Sequence, residues 1–353
     1  MIHIFDGAMG TMLQAGGLAP GGCPELMNVD HPEVVRGIHE KYIEAGATII
    51  ETNTFGATSL KLEHYHLADK VEELNLAAVK IAKEAAKGAA KVAGSMGPTG
   101  RFIEPLGDLS FDDAYATFYE QAKAMAKGGV DYFIIETCID VQEMRAAILA
   151  AKDADANIPI IAQMTYADDG RTVTGTDPQS AAIILTAMGA SIIGVNCSLG
   201  PEQLVPIVKE LADNTDRPIS VQPNAGMPHL VDGETIFPMD AEEFGTWAEK
   251  LLEAGATYLG GCCGTTPDHI RALKNTLKGK NEPKRTPRPK RLWLASRSKS
   301  VCIDKELPTV LIGERINPTG RKKLAAEIKD GSLLGVKKEA VNQVKAGARV
   351  LDV

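Results

Sequence analysis

The stretch Met188-Gly-Ala-Ser-Ile-Ile-Gly-Val-Asn-Cys-Ser198 contains the unit from which the fold can be predicted. A helical segment ends at a glycine, a short apolar strand follows at once, and the strand ends in polar and sulfur-bearing side chains. Two other apolar runs follow near-identical hinges, Glu44-Ala-Gly-Ala47 and Glu253-Ala-Gly-Ala256. Glycine suits the left-handed conformation that often ends a helix, so each hinge predicts a helix followed directly by a buried strand.

The same unit recurs along the first 280 residues. Apolar runs of strand length predict eight strands: Ile2–Phe5, Thr48–Thr52, Lys91–Ala93, Asp131–Ile135, Pro159–Met164, Ser191–Val195, Pro218–Val221 and Thr257–Leu259. The segments between them predict eight helices: Pro32–Ala45, Ala68–Ala90, Asp112–Lys127, Val141–Ala154, Pro178–Met188, Pro201–Ala212, Ala241–Ala254 and Pro267–Leu277. Regular βα repetition without a glycine-rich dinucleotide fingerprint favours a closed (β/α)8 TIM barrel over a doubly wound sheet. We therefore predict an α/β fold with this barrel over residues 1–280.

The remaining residues form a different pattern. Residues 281–306 are rich in proline and basic side chains, which predicts a linker, either a basic tether on an acidic barrel or an anion-binding segment. Beyond it, Thr309–Gly313 and Ala348–Val353 are predicted strands, and Leu334–Ala346 is a predicted helix. A single βαβ unit cannot bury both faces of its sheet, so residues 307–353 are predicted to be the incomplete start of a second α/β barrel.

Composition excludes several classes of protein. The formal net charge is −8, whereas non-specific nucleic-acid binding needs an excess of lysine and arginine. We find neither the pattern of a signal peptide nor an apolar stretch long enough to cross a membrane, so we expect a cytoplasmic protein without a membrane partner. The six cysteines then favour metal binding or catalysis over a disulfide framework.

Three cysteines follow predicted strands. Cys197 follows the sixth strand, and Cys262 and Cys263 follow the eighth in Gly260-Gly-Cys-Cys-Gly264. Active sites of TIM barrels lie at the carboxyl ends of the strands, so we expect the three thiols to meet there and ligate one zinc ion. Three protein ligands leave a fourth position for a substrate thiol, and thiolate ligands favour sulfur alkylation over hydrolysis. The alternative is a core cysteine beside a vicinal redox pair.

Other polar residues also follow the predicted strands. Asp6 and Glu136 could bind an amine, and the backbone N–H groups of Gly7 and Ala8 could bind a carboxylate, which together describe an amino acid. Helix capping and surface salt bridges remain the alternatives for the two acids.

Three further residues join this predicted site. Asn53 and Ser95, after the second and third strands, are added as candidate substrate contacts. Asn224 is a candidate fourth zinc ligand in the absence of substrate, or else an ordinary turn asparagine.

Six spaced motifs resemble the homocysteine-binding domain of the cobalamin-dependent methionine synthases, which is related to the betaine–homocysteine and other homocysteine S-methyltransferases. The motifs are Asp6-Gly-Ala-Met-Gly-Thr-Met-Leu-Gln14, Glu51-Thr-Asn-Thr-Phe-Gly-Ala57, Gly94-Ser-Met-Gly-Pro98, Glu136-Thr-Cys138, Gly194-Val-Asn-Cys-Ser198 and Gly260-Gly-Cys-Cys-Gly-Thr-Thr-Pro267. Ile312-Gly-Glu-Arg-Ile-Asn-Pro-Thr-Gly320 and Gly347-Ala-Arg-Val-Leu-Asp-Val353 resemble the opening of the folate (pterin)-binding barrel that follows in that family.

The resemblance implies a role for each matched residue. Cys197, Cys262 and Cys263 would be the zinc ligands, and the contacts to homocysteine would be made by Asp6, Gly7, Ala8 and Glu136. The zinc-bound sulfur would take its methyl group from methylcobalamin held by a domain or protein outside this chain.

For the second barrel, the resemblance assigns Asn317 and Asp352 to a methyltetrahydrofolate site. Most of that barrel is missing, so we expect no folate binding and only a partial enzyme. Two alternatives remain: a standalone transferase with a sulfonium or betaine donor, and a non-catalytic zinc or thiol sensor.

Overall fold

The computed structural model describes residues 1–231, 234–285 and 291–353. They form two compact units, Met1–Arg288 and Pro289–Val353. Five residues of the predicted linker, 286–290, lie outside the described part of the chain.

The first unit is built on eight parallel strands, which confirms the predicted barrel. In spatial order they are β1 (His3–Ile4), β10 (Ala256–Leu259), β7 (Ile219–Gln222), β6 (Ile192–Asn196), β5 (Ile160–Met164), β4 (Tyr132–Cys138), β3 (Lys91–Met96) and β2 (Ile49–Glu51). A parallel bridge between Phe5 and Ile49 joins the first strand to the last, so the sheet closes on itself. The carboxyl ends of all eight strands therefore meet at one face.

Helices surround this sheet close to the predicted positions. They are α3 (Pro32–Ala45), α5 (Val71–Ala86), α6 (Phe111–Gly128), α7 (Val141–Ala154), α8 (Pro178–Met188), α9 (Pro201–Asp213), α10 (Ala241–Glu253) and α11 (Pro267–Leu277). The prediction over Ala68–Ala90 is too long, because Ala68–Lys70 is a separate 3-10 turn and Lys87 adopts a left-handed conformation that ends α5.

Several short elements in the loops of this unit were not predicted. They are α1 (Met9–Ala15), the 3-10 turn Pro24–Leu26, α2 (Met27–Asp30), α4 (Ser59–Leu62), the 3-10 turn Glu63–Tyr65, and the hairpin of β8 (His229–Val231) with β9 (Glu234–Ile236). Elements this short repeat the hydrophobic pattern too few times to be distinguished from a loop by sequence.

The barrel interior changes from apolar to polar toward the carboxyl ends of the strands. One buried cluster consists only of strand residues and the two positions that close the sheet: Phe5, Ile49, Ala93, Ile134, Ile161 and Ile192. Further along β5 and β7, the Gln163 amide donates hydrogen bonds to Ser220 Oγ at 3.1 Å and to Gln222 Oε1 at 2.8 Å. All three of these polar side chains are buried, so the site above them rests on a hydrogen-bonded layer.

The second unit contains the predicted βαβ arrangement. Strands β13 (Ile312–Gly313) and β14 (Val350–Leu351) pair in parallel, with α12 (Lys322–Lys329) and α13 (Leu334–Lys345) between them. The predicted linker 281–306 also contains an antiparallel hairpin of β11 (Leu292–Ala295) and β12 (Ser300–Ile303). The hairpin was not predicted, because its short strands are exposed or only partly buried and so lack the apolar run that marks the barrel strands.

Among the described residues, no helix combines the length and the apolar character that a membrane crossing requires.

A buried histidine makes the stability of the barrel sensitive to acid. The His39 side chain on α3 is fully buried, and neither ring nitrogen has a hydrogen-bond partner among the described residues. Burial lowers the pKa of His39 from 6.5 to about 4. The unfolded chain therefore binds more protons than the folded chain between these pH values, and stability falls as the pH drops through this range.

We expect His39→Leu to remove this contribution. On going from pH 7 to pH 5, the variant should lose about 2 kcal/mol less of its free energy of unfolding than the parent. Urea denaturation at the two pH values measures the difference. Parallel losses in both proteins would contradict the assignment.

Candidate metal and substrate site

Three thiols come together at the carboxyl end of the barrel. The Sγ atoms of Cys197 and Cys263 lie 3.8 Å apart, and those of Cys262 and Cys263 lie 4.0 Å apart. All three sulfur atoms lie within 4.8 Å of one another. A disulfide needs a separation of about 2.05 Å, so these are free thiols in contact.

The spacing of the sulfur atoms suits a zinc ion. Zinc–thiolate bonds of about 2.3 Å in tetrahedral geometry separate neighbouring sulfur atoms by about 3.8 Å. Thiols at this spacing could therefore hold a zinc ion from one side, and the fourth position would take another ligand.

Unusual backbone conformations bring the thiols together. Cys197 and Ser198 directly follow β6 with φ of 61° and 55°, in the left-handed region that non-glycine residues rarely adopt. Cys262 and Cys263 lie beyond the end of β10, so the alternation of side chains along a strand does not separate them. Strain of this kind is typical of functional sites.

Backbone hydrogen bonds fix the two loops to the strand between them. The Cys197 N–H donates to Gln222 O at 3.0 Å, and the Cys262 N–H donates to Pro223 O at 2.7 Å. Asn224 Oδ1 accepts the Cys263 N–H at 3.1 Å. The end of β7 and the segment that follows it therefore position all three cysteines.

The thiols share their protons unequally. Hydrogen bonds from Cys262 and Cys263 lower the pKa of Cys197 to about 3, and the Asn224 side chain contributes a further hydrogen bond. The contact with Cys197 raises the pKa of Cys263 to about 12. The hydrogen bonds among the thiols therefore favour a single thiolate within the cluster.

A cavity of about 260 Å³ joins the thiols to a group of carboxyl side chains. Its lining includes Asp6, Glu51 and Glu136, which lie near the carboxyl ends of three different strands, together with Glu25. None of the described residues that line it is a lysine, arginine or histidine. The pocket is therefore acidic and has no built-in cation.

Polar contacts hold Glu136 in place. Its two carboxyl oxygens accept hydrogen bonds from Ser95 Oγ at 2.5 Å and from Asn196 Nδ2 at 3.1 Å. Thr137, the next residue, has a φ of 59° and donates its N–H to Asn196 Oδ1 at 2.7 Å. Burial raises the pKa of Glu136 to about 7, although the Ser95 hydrogen bond opposes the shift.

Asp6 is buried beside the start of the pocket. Its Oδ2 accepts the Glu51 N–H at 2.9 Å, whereas its Oδ1 has no partner among the described residues. Burial raises the pKa of Asp6 well above its ordinary value, and the Glu51 N–H opposes the shift. A bound cation would return this carboxyl group to its ionised form.

The remaining predicted contacts differ in whether their N–H groups already have hydrogen-bond acceptors within the protein. Gly7 lines the pocket, and its N–H has no acceptor among the described residues, whereas the Ala8 N–H already donates to Thr265 Oγ1 at 3.1 Å. Asn53 also lines the pocket, but its amide donates to Pro24 O at 2.7 Å and to Asn28 Oδ1 at 3.1 Å. Asn53 therefore anchors the segment that covers one side of the pocket.

The two predicted folate residues lie in the second unit. Asn317 is exposed, donates to Glu314 Oε1 at 3.3 Å and accepts the Thr319 N–H at 2.9 Å. The Asp352 N–H donates to Gly313 O at 2.8 Å, next to the parallel pair of β13 and β14. They form no part of the barrel site.

Sequence reasoning assigned no role to three residues of the site, namely Glu51, Gln222 and Thr265. Gln222 was recognised as a polar residue at a strand end, and Glu51, also the last residue of its strand, carried the same signal. Thr265 was quoted only within a motif, and its role depends on a contact across 257 residues of sequence.

Comparisons with known proteins agree with this geometry. Residues 3–277 match the family described as homocysteine S-methyltransferase. The whole chain aligns with the methionine synthases of Mycobacterium leprae and Mycobacterium tuberculosis, each at 32% identity, and spans 31% of the length of each. The metallated form of the homocysteine methyltransferase MmuM from Escherichia coli superimposes with a TM-score of 0.67 at 26% identity, covering 78% of this chain and 96% of that one.

Fold, site and comparisons place the chain among the methyltransferases. Within that class, it belongs to the homocysteine S-methyltransferase family.

Thr265 connects the two halves of the site. Its Oγ1 accepts the Ala8 N–H and donates to Cys262 O at 2.7 Å, and its own backbone carbonyl accepts from Tyr42 Oη at 3.3 Å. Its side chain is completely buried. Removing the hydroxyl group would leave the buried Ala8 N–H without its acceptor.

We expect Thr265→Val, which preserves shape, to lower the free energy of unfolding by about 1–3 kcal/mol. Thr265→Ser keeps the hydroxyl group and is the matched control, with a smaller loss. Guanidinium denaturation measures both variants. Equal stability of the valine variant and the parent would show that the hydroxyl group does not join the loops.

Proposed function

We propose that the barrel binds homocysteine, holds its sulfur on a zinc ion ligated by Cys197, Cys262 and Cys263, and methylates that sulfur to give methionine, with methylcobalamin as the donor. The observation that carries this proposal is the single pocket in which three thiols at zinc-binding distances meet an acidic, cation-free wall. Thiols suit the sulfur end of the substrate, and carboxyl groups suit its ammonium end.

The donor set supports zinc in particular. Three cysteinates are ligands that zinc prefers, and an open fourth position is typical of catalytic sites. When bound, zinc would bind the substrate thiol as thiolate, the nucleophilic form. Asn224 orients Cys263 through its oxygen, and its additional role as a fourth ligand stays a prediction.

The chain's own residues orient the amino-acid end. Asp6 and Glu136 accept hydrogen bonds from the ammonium group, and the free N–H of Gly7 donates to the carboxylate. Ser95 acts through Glu136, and Asn53 acts through the covering segment, so these two are positioning residues. The Ala8 N–H already donates to Thr265 Oγ1, so Ala8 shapes the turn and donates no hydrogen bond to the substrate.

The methyl donor distinguishes two versions of this function. The alignment with the methionine synthases continues through the second unit, which favours methylcobalamin delivered by a domain or protein outside this chain. A folate domain, of which Asn317 and Asp352 would be early residues, is a further proposed partner. The alternative is a standalone transferase that takes the methyl group directly from a sulfonium or betaine donor. The homocysteine methyltransferase MmuM, of which this chain covers 96%, is a chain of about the length of the barrel alone, which is compatible with that alternative.

We expect Cys263→Ala to lose stoichiometric zinc, because two thiolates cannot complete the site. It should also lose the part of the proton release after homocysteine addition that comes from the substrate thiol. Zinc content by atomic absorption and proton release in weak buffer are the measurements. Cys302→Ser, which changes a thiol of the second unit, is the control and should keep both properties. Full zinc and full methylation in the alanine variant would refute the ligand assignment.

We expect the zinc-loaded chain to form methionine from homocysteine and supplied methylcobalamin. Chromatographic assay of methionine measures this, with parallel reactions that contain a sulfonium or betaine donor instead. Methionine from the latter donors alone would establish the standalone alternative. Homocysteine binding without turnover on any donor would indicate a sensor.

A further inference from the structure

An ammonium group has three N–H donors, but the proposed site gives it only two carboxyl groups. The same pocket contains a third, that of Glu51, the last residue of β2. Nothing in the mechanism above uses it.

Glu51 is directly connected to the other two acids. Its N–H donates to Asp6 Oδ2, so the two residues are neighbours across the first and second strands. After burial, the negative charge of Glu136 is the largest cause that raises the pKa of Glu51, followed by that of Asp6. The three carboxyl groups therefore act on one another.

A rigid hydrogen-bond chain orients the Glu51 side chain. Gln222 Nε2 donates to Glu51 Oε1 at 2.8 Å, and Gln222 Oε1 accepts from Gln163 Nε2 at 2.8 Å. Gln163 and Gln222 are both buried. Gln222 fixes one carboxyl oxygen of Glu51, and the side chain also shares a hydrogen bond with Glu136. An entering ammonium group would replace the proton that the two acids share.

Three carboxyl groups in one pocket, of which Asp6 and Glu136 are buried and Glu51 is partly buried, are costly unless a positive charge joins them. No lysine, arginine or histidine lines the described wall, and Asp6 Oδ1 is buried without a partner. A ligand is therefore the available source of the missing positive charge. A group with three N–H donors can satisfy one acceptor on each acid.

We propose that Glu51 is a substrate-specificity residue that accepts the third hydrogen bond of the α-ammonium group, so that Asp6, Glu51 and Glu136 together select thiols that carry an amine. This inference rests on the proposed binding of homocysteine. The other role open to Glu51 is purely structural, as the link between β2 and Gln222. The two roles predict different effects on ligands with and without the amine.

The test compares homocysteine with 4-mercaptobutanoate, which has the same thiol and carboxylate but no amine. Calorimetric titration of the zinc-loaded full chain gives both dissociation constants, and metal analysis confirms the zinc content. We expect Glu51→Gln to weaken homocysteine binding roughly tenfold to hundredfold, with little change for the amine-free thiol. Glu136→Gln should show the same pattern.

Glu25→Gln is the matched control. Glu25 also lines the pocket, but its oxygens accept from the Gly56 N–H at 2.7 Å and from Cys23 Sγ at 3.4 Å. The ratio of the two dissociation constants should stay within about twofold of the parent value in this variant, since a change of that size is below the loss of one hydrogen bond. If Glu25→Gln lost as much of the preference for homocysteine over 4-mercaptobutanoate as Glu51→Gln does, general loss of negative charge would explain the selectivity. The proposal would then fail.

The outcomes separate this inference from the function on which it rests. If the parent chain fails to bind homocysteine, the proposed function is wrong. If the parent prefers homocysteine but Glu51→Gln keeps that preference, or loses both ligands equally, only the role of Glu51 is overturned. Should Glu51→Gln fail to fold, Glu51→Asp, which keeps the charge but withdraws it from the pocket, is expected to lower the preference as well.

Discussion

The contact among three cysteine sulfur atoms is the constraint on which the site depends. Thiols stay in contact at these distances only if the loops that carry them are held firmly. The end of β7 and the segment after it hold those loops. They accept the N–H groups of Cys197 and Cys262, and Asn224 accepts that of Cys263. The left-handed backbone at Cys197 and Ser198 is stable only because these surrounding bonds fix it.

The electrostatics of the pocket follow from the closure of the barrel, which brings acidic side chains from three strands together. Parallel strands bring Asp6, Glu51 and Glu136 to one face, and the described residues that line the pocket include no basic side chain to neutralise them. Burial raises the pKa of each acid, so the empty pocket favours protonated carboxyl groups. An entering ammonium group would reverse that preference, which couples substrate binding to proton release from the protein as well as from the thiol.

Much of the architecture could be predicted from the sequence. Repeated apolar runs and glycine hinges gave all eight barrel strands and the surrounding helices, because the hydrophobic period and the helix C-cap are local properties. The cysteines and two of the acids could be found because they lie at or just beyond the ends of the predicted strands. The turn at Lys87, the short α1 and the hairpin of β11 and β12 could not, because each is too short or too exposed to show a repeated hydrophobic pattern.

The sequence by itself therefore determined the closed barrel, the face on which chemistry is placed, and the types of side chain that reach it. Only the tertiary structure decided which atoms are free to act. It showed that the amides of Ala8 and Asn53 already have partners, that Asn224 accepts a backbone N–H, and that Glu51 joins the two predicted acids. The physical reason is that hydrogen bonds between loops join residues tens to hundreds of positions apart, and no local pattern encodes such pairings.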